Sequence, residues 1–316
     1  HSRTEAIPNI VHYTYLKKDS SSTLDLTFQD FLSIYSASLY FKPRSILIHT
    51  DHNATYLKTA AKEGSRWTRK ILTGFPNILK MNFVVPPTEA NNMLIKNIEH
   101  KSDFVRWEQL YATGGIYLDW DVVALRDIAL FRQIGFRNVV GRQYGGKVNP
   151  GLMMAEKESR MSYLMTRESP QVFDGEWETH SVDLLTHISQ RLVRVENEVL
   201  ILDEMAWAPT NWEAWSFDKL FGTHNEPQLV SDEEVIEDQE QDPIARWDNR
   251  RMRAEWEMDF SGTYLLHAFK SRGHNVEGFK GVSVKYVMQR NSNYGRAAYP
   301  VVKHMVDHGV VNETDD

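Results

Sequence analysis

The sequence predicts an α/β fold in which a mainly parallel sheet is flanked by helices. Two observations support this class: short apolar runs alternate with segments of helical periodicity, and one apolar run ends in two closely spaced carboxylates. Alternating strands and helices are the pattern of a parallel sheet with helices on its faces. Open α/β sheets bind their ligands outside the carboxyl ends of the strands. We therefore expect a ligand site at one edge of the sheet.

The first third of the chain supplies these elements in order. Residues 7–13 are predicted to form the first strand, and residues 24–40 carry apolar side chains at helical spacing, which is typical of a helix packed on a core. Residues 45–49 predict a second strand and residues 55–63 a second helix. Residues 78–85 predict a third strand, which ends at two prolines.

A further helix follows this alternating region. Ser102 is a reasonable N-cap, so this helix is predicted to begin after residues 101–102. Phe104, Trp107 and Tyr111 fall on one face, which we expect to be buried.

Asp103 and Arg106 share a neighbouring face of the same helix. As an exposed ion pair at i and i+3 they would contribute only about 0.2–0.5 kcal/mol. The alternative is that both side chains belong to a ligand site, because the helix leads directly into the two carboxylates.

The carboxylates follow a short buried strand. Gly114-Gly115 ends the helical pattern, and Ile116-Tyr117-Leu118 is an apolar and aromatic run. Residues two apart in a strand face the same side, so Asp119 and Asp121 are expected to point into one site while Trp120 packs behind. Mg²⁺ prefers one or two carboxylates together with phosphate oxygens, and Mn²⁺ shares the preference for oxygen. The pattern predicts a divalent cation beside a diphosphate.

Two more strands are predicted after the carboxylates, at residues 139–144 and 151–155, with a turn between them. The triplet Gly145-Gly146-Lys147 lacks the spacing of a phosphate-binding loop. We interpret it as an ordinary turn that leaves Asn149 facing the cleft.

These segments resemble glycosyltransferase family 32, which includes fungal initiating α-1,6-mannosyltransferases and animal α-1,4-galactosyl- and α-1,4-N-acetylglucosaminyltransferases. The matching positions of its Asp-x-Asp signature are Asp103, Arg106, Trp107, Gly114, Gly115, Ile116, Tyr117, Leu118, Asp119 and Asp121. Residues 7–13 resemble the opening strand of the family, which lies near the nucleotide base. Residues 262–267 resemble the C-terminal segment whose histidine completes the metal site. The resemblance covers residues 7–155 and 260–275.

The resemblance implies a GT-A-like nucleotide-binding fold and a metal-dependent retaining glycosyltransferase. Such an enzyme moves a hexose or N-acetylhexosamine from a UDP- or GDP-linked nucleotide-sugar donor to a glycan, glycolipid or glycoprotein acceptor. Mn²⁺ or Mg²⁺ is the implied cation, with Asp119, Asp121 and His267 as the metal set. Asp121 is expected to bind the cation directly, whereas Asp119 contacts the ribose or a metal-bound water.

The resemblance also implies roles for further residues. The implied catalytic residues are Asp103, Arg106, Asp119 and Asp121. The implied donor-binding residues are His12, Tyr13, Asp103, Arg106, Tyr117, Asp119, Asn149 and Lys270. Lys270 and Arg272 stand where the sequence departs from the family pattern, and either is a candidate for the diphosphate.

We expect a single catalytic domain over residues 1–316, which has enough apolar residues for one large core. Its half at 7–155 would bind the donor and metal, and its half at 156–316 would face the acceptor and contain the C-terminal metal and diphosphate segment. Acceptor-side candidates are Trp177, His180, Asp183 and Glu204, although each taken singly fits a core or surface position better.

Charge disfavours one class of partner. The net charge is −7 and the pI about 6.0, and no basic stripe runs along the chain, which disfavours binding of nucleic acid. Residues 231–242 are densely acidic and residues 246–253 basic. Such blocks are usually solvated helices or loops, and a basic patch that meets a partner or membrane surface is the alternative.

The signals for cellular location conflict. The absence of cysteine leans toward a reducing compartment, whereas the sequons at Asn53 and Asn312 are possible glycan acceptors in a secretory lumen. No stretch approaches the ~18 apolar residues of a membrane span. The chain begins at His1, and the resemblance implies an N-terminal membrane anchor outside this sequence and a lumenal catalytic domain at the Golgi membrane.

Two other classes remain as alternatives. A metal-dependent phosphohydrolase can use Asp-x-Asp with the first Asp as nucleophile, but it would normally place this motif on its first strand. A noncatalytic carbohydrate-binding protein would fit the nine tryptophans, since aromatic faces stack on sugars. Sugar binding by such a protein should survive the substitution Asp121→Ala.

Overall fold

The computed structural model describes residues 7–225, 254–269 and 273–315. The strands in these ranges are β1 (Ile10–Thr14), β2 (Ser45–Thr50), β3 (Leu79–Phe83), β4 (Glu89–Ala90), β5 (Met93–Leu94), β6 (Gly115–Leu118), β7 (Val122–Ala124), β8 (Asn138–Arg142), β9 (Val148–Ala155), β10 (Val199–Leu202) and β11 (Leu265–His267). The helices are α1 (Phe28–Phe41), α2 (Ala54–Glu63), α3 (Arg66–Gly74), α4 (Ile98–Thr113), α5 (Ala129–Gln133), α6 (Arg160–Val172), α7 (Leu184–Leu192), α8 (Glu204–Trp207), α9 (Ala214–Phe221), α10 (Val284–Met288) and α11 (Asn293–Asp307), and a π-helical turn spans Thr179–Asp183. The acidic segment at 231–242 and the basic segment at 246–253, interpreted above as solvated helices or loops or as a binding patch, lie outside the described residues.

A seven-stranded sheet with the order β10-β8-β9-β6-β1-β2-β3 forms the centre of the molecule. Neighbouring strands run parallel except at β9, which is antiparallel to both β6 and β8. The prediction of a mainly parallel sheet flanked by helices is confirmed. Because β1, β6 and β8 share one direction, their carboxyl ends lie at the same edge.

Both faces of this sheet are buried at its central strands. Ile116 and Leu118 of β6 belong to the larger apolar cluster, which also contains residues of α1 and α11. Tyr117, between them, belongs to a second cluster with Trp107 of α4 and Met161 of α6. Successive residues of a strand point to opposite faces, so the two clusters cover the two faces. Strands buried on both faces are typical of sheets built from parallel strands.

Helix α4 differs from the prediction at its beginning. The helix starts at Ile98, with Asn97 as N-cap, so Ser102 lies inside the helix and the predicted cap is wrong. Asn97 makes no side-chain cap bond, but His100 in the first turn is buried. Packing of this first turn, rather than a capping side chain, therefore sets the start of the helix.

The predicted turn before residue 151 is also shorter than expected. Residues 148–150 belong to β9, where they extend the antiparallel pairing with β8 across an irregularity between Val140 and Arg142. Asn149 therefore projects from a strand rather than from a loop.

Among the described residues, no helix combines the length and the apolar character needed to cross a membrane.

Candidate functional site

A cavity of about 930 Å³ opens at the edge of the sheet where β1, β6 and β8 end. Its volume lies within the range of small-molecule sites, roughly 300–1,000 Å³. The residues that follow these strands line it, together with one side of α4 and the segment around the π-helical turn. This is the edge at which the sequence predicted a ligand site.

Three potential metal ligands meet in this cavity. Ligand atoms of Asp119, Asp121 and His267 all lie within 4.8 Å of one another, and His267 Nε2 is 3.2 Å from Asp121 Oδ1. Strand β11 brings His267 there by pairing antiparallel with β7, which places it opposite Val122. The Ala268 amide donates to the Asp121 carbonyl at 3.0 Å, so the far end of the chain is held firmly against the carboxylates.

The two carboxylates lie in a turn rather than in a strand. The Val122 amide donates to the Asp119 carbonyl at 3.1 Å and closes this turn. Trp120 packs on the larger apolar cluster beside Tyr13, as predicted, and it also lines the cavity. The indole of Trp120 donates to the Thr14 carbonyl at 2.8 Å, which ties the turn to the end of β1.

Gly151 provides the space in which the three side chains converge. A Cβ at this position would lie 2.5 Å from Asp119 Oδ2, 2.7 Å from His267 Cε1 and 2.9 Å from Asn149 Oδ1. The space is therefore available because residue 151 has no side chain.

The two carboxylates and the imidazole form a donor set that suits a divalent transition metal such as Mn²⁺. The residues present fit such an ion.

Arg106 fixes the orientation of Asp119. Its guanidinium donates to the Pro150 carbonyl at 2.7 Å and lies 3.2 Å from Asp103 Oδ1 and 3.4 Å from Asp119 Oδ1. Tyr117 donates its hydroxyl to the same Asp119 oxygen at 3.0 Å. These bonds occupy Oδ1 and leave Oδ2 facing Gly151. Arg106 and Asp103 are buried, which contradicts the exposed ion pair considered from sequence.

The pKa values of this cluster reflect burial among charges. Desolvation raises the pKa of Asp119, and the nearby Arg106 guanidinium opposes that rise. Burial on its own would lower the pKa of Arg106, but Tyr117 and the neighbouring carboxylates raise it overall. Burial also raises the pKa of Tyr117 well above its usual value. Arg106 therefore remains a cation and Tyr117 a hydrogen-bond donor throughout the neutral range.

Asn149 and Phe269 hold the imidazole of His267 from two sides. Asn149 Nδ2 lies 3.0 Å from His267 Nδ1, and Asn149 Oδ1 accepts from the Gly151 amide at 2.6 Å. The Phe269 ring stacks on the imidazole with centroids 3.9 Å apart. Phe269 has a φ of 58°, a left-handed conformation that costs about 1–3 kcal/mol at a non-glycine residue. Phe269 follows His267 by two residues but was not among the predicted site residues.

The structure does not bring His12 and Tyr13 into the cavity, in contrast to their predicted donor contacts. Both side chains are fully buried; His12 bonds His49 and the Gly114 carbonyl, and Tyr13 bonds Ser33. Strand β1 is central, so its side chains enter the core on both faces. The cavity is lined by the residues that follow on the chain, Thr14, Tyr15 and Leu16. Their place after the strand was the signal that could have identified them.

The acceptor-side candidates lie in different surroundings. Trp177 lines the cavity with 49% of its surface exposed. His180 is buried, and its Nε2 lies 3.1 Å from Asp103 Oδ2. It therefore helps to hold the Asp103 carboxylate in place. Asp183 pairs with Lys147 at 2.7 Å, and Glu204 lies on α8 away from the lining residues. Lys270 and Arg272 lie outside the described residues.

Comparison with known proteins agrees with this geometry. Residues 44–144 match the model of the glycosyltransferase sugar-binding region containing the DXD motif. The chain is 26% identical over 229 residues to glucan organizing enzyme 1 of Cryptococcus neoformans var. grubii, a match that covers 69% of this chain and 57% of that protein. It is 30% identical over 114 residues to an uncharacterized protein of Arabidopsis thaliana, covering 35% of this chain and 17% of that protein. The chain thus spans between about a sixth and three fifths of the length of these relatives.

Among solved structures, mouse xyloside xylosyltransferase 1 superposes with a TM-score of 0.44 and 11% identity, over 84% of this chain and 98% of that one. The region that matches the glycosyltransferase model, residues 44–144, contains both Asp119 and Asp121. Residues 44–144 therefore contain a glycosyltransferase sugar-binding region with the DXD motif, which agrees with the resemblance of the Asp-x-Asp segment to glycosyltransferase family 32.

Proposed function

We propose that this protein is a glycosyltransferase that transfers a hexose or N-acetylhexosamine from a UDP- or GDP-linked donor to a glycan, glycolipid or glycoprotein, with the help of Mn²⁺ or Mg²⁺. The observation that carries the proposal is the convergence of Asp119, Asp121 and His267 beside Gly151. Two of these residues come from the DXD turn and the third from a strand near the other end of the chain.

Asp119, Asp121 and His267 would hold the cation, which when bound stabilises the negative charge of the departing diphosphate. Arg106 and Tyr117 keep one oxygen of Asp119 engaged, so that its other oxygen points toward the cation site. Side chains that are fixed before the substrate binds lower the cost of reorganisation during the reaction.

Asp103 would bind the donor sugar. Its carboxylate lines the cavity and is held between Arg106 and His180. Each carboxylate oxygen has lone pairs for a further hydrogen bond, and hydroxyl groups of a sugar are the natural donors. Arg106 has its Nη atoms engaged by protein oxygens, so we assign it to positioning Asp103 and Asp119 rather than to direct contact with the sugar.

We propose that the anomeric configuration is retained, as the family resemblance implies. A front-face substitution assisted by the acceptor hydroxyl needs no carboxylate nucleophile. This agrees with a site in which Asp103, Asp119 and Asp121 already have partners among Arg106, His180 and His267. Proton NMR of the first product formed would show the same anomer as the donor; the opposite anomer would exclude retention.

The proposed function is tested by nucleotide release from UDP-galactose, UDP-N-acetylglucosamine, UDP-glucose and GDP-mannose, each with and without Mn²⁺. Release from one donor that depends on the cation would support the proposal and identify the sugar. Binding of sugars without any turnover would favour the noncatalytic carbohydrate-binding alternative. Release of phosphate from simple phosphate esters would favour the phosphohydrolase.

We further propose that the domain works in the Golgi lumen as part of a membrane-anchored protein. The family resemblance supports this, and so does the position of both sequons. Asn53 and Asn312 are exposed, and Asn53 caps α2 through Oδ1, which leaves its nitrogen available for a glycan. A mobility shift on glycosidase treatment of the secretory protein, lost in Asn53→Gln with Asn312→Gln, would test the location.

A further inference from the structure

A row of aromatic rings leads out of the cavity on the side of β8. Phe269 and Trp212 line the cavity, and their ring centroids are 5.8 Å apart. Tyr144 lies 6.3 Å from Trp212 and 6.0 Å from Trp215. These four residues, which we call the aromatic row, come from three separate segments of the chain.

The outer end of the aromatic row is open to solvent. Tyr144 and Trp215 are 46% and 54% exposed. Single exposed aromatic residues are normal on protein surfaces, whereas contiguous apolar patches beside a cleft mark binding surfaces. Tyr and Trp each combine an apolar ring face with a polar tip. A pyranose ring has the complementary form, with a face of C–H groups and hydroxyls at its edge.

The inner end of the aromatic row is attached to the proposed metal site. Phe269 stacks on His267, and Thr210, two residues before Trp212, donates its hydroxyl to the His267 carbonyl at 2.5 Å. A ligand on the aromatic row would therefore be held at a fixed distance from the reacting centre.

The sheet order separates the aromatic row from the opposite wall of the cavity. The DXD turn follows β6, and Tyr144 follows β8 on one side of β6 in the sheet. The wall formed by Thr14, Tyr15 and Leu16 follows β1 on the other side. A nucleotide whose diphosphate lies at the metal residues can occupy the β1 wall and leave the β8 side free.

We propose that the aromatic row is an extended acceptor subsite that binds successive sugar residues of an oligosaccharide. This inference rests on the proposed function, because it places the end of the acceptor beside the donor sugar. The row favours acceptors several residues long over mono- and disaccharides, since Tyr144 and Trp215 lie outside the cavity lining.

The test uses a variant that combines Tyr144→Ala with Trp215→Ala, and neither residue touches the proposed metal ligands. Binding of α- and β-linked gluco- and manno-hexasaccharides and of the matching disaccharides is measured by calorimetry. We expect the variant to bind the preferred hexasaccharide about tenfold more weakly, because two exposed ring faces are lost from its subsite. Binding of the disaccharide should not change.

Tyr163→Ala is the matched control, because Tyr163 is 45% exposed and lies on α6. Wild-type hexasaccharide affinity in the double variant, equal losses for di- and hexasaccharides, or no hexasaccharide binding by the wild type would each overturn the proposal. Nucleotide release without acceptor is followed in parallel. Failure of release in the wild type would count against the proposed function, whereas the calorimetry tests the subsite independently of turnover.

Discussion

Replacing Gly151 by alanine tests whether the space at this position holds the three proposed metal ligands together. The added Cβ would lie 2.5 Å from Asp119 Oδ2 and 2.7 Å from His267 Cε1, whereas ordinary contact begins at 3.4 Å. The carboxylate must therefore withdraw by about 0.9 Å and the imidazole by about 0.7 Å. Gly151 does not have a left-handed backbone conformation, so the effect comes from these side chains rather than from backbone strain.

A misplacement of about 1 Å costs on the order of 10²-fold in rate. We expect Gly151→Ala to lower donor turnover by roughly this factor and to weaken Mn²⁺ binding by about 10- to 100-fold. Calorimetric titration with Mn²⁺ and nucleotide-release kinetics would measure both effects. A urea denaturation curve would show whether the variant remains folded.

The matched control is Gly262→Ala, because an added Cβ at Gly262 has no neighbour within 4 Å. This variant should keep wild-type Mn²⁺ affinity and turnover. If Gly151→Ala also kept both, the ligand set built around Gly151 would be refuted.

Two other predictions concern stability. Arg106→Met removes the partner of two carboxylates in a buried site and should cost about 3–5 kcal/mol of unfolding free energy; Arg167→Met, which breaks an exposed pair, should cost under about 1 kcal/mol. Burial lowers the pKa of His12 to about 4 and that of His49 to about 3. In the unfolded chain both histidines have the ordinary pKa of about 6.5, so below that pH the unfolded chain binds more protons than the folded protein. Their contribution to stability is complete above about pH 6.5 and declines as the pH falls, with a loss of about 2 kcal/mol for each histidine between about pH 7 and about pH 5. Urea midpoints would measure both predictions; equal losses for the two arginine variants, or a flat pH profile, would contradict them.

The sequence predicted the fold because its local patterns agree with the final packing. The apolar runs of β1, β2 and β6 are buried on both faces of the sheet, so hydrophobicity alone identified them as strands. The beginning of α4 was missed because Asn97 and Ser102 carry similar capping side chains. The choice between them depends on tertiary contacts of the first helical turn.

The candidate site could be predicted only in part. Asp119 and Asp121 follow a recognisable strand, whereas the proximity of His267 depends on the pairing of β11 with β7. Only the family resemblance indicated that residue in advance. His12 was assigned to the donor site from the family resemblance. The sequence alone does not show that β1 is a central strand, and the bonds of His12 to His49 and Gly114 are long-range contacts. The aromatic row likewise joins three distant segments and leaves no local pattern.

The most direct measurement of the central claim is Mn²⁺-dependent nucleotide release by the wild type and by Asp121→Ala across the four donors. Asp307→Ala is the control, since it removes only an exposed ion pair with Lys303. We predict release from one donor that requires Mn²⁺, is lost in Asp121→Ala and is unchanged in Asp307→Ala. Release that persists in a folded Asp121→Ala variant, or that is the same without Mn²⁺, would contradict the assignment of this site.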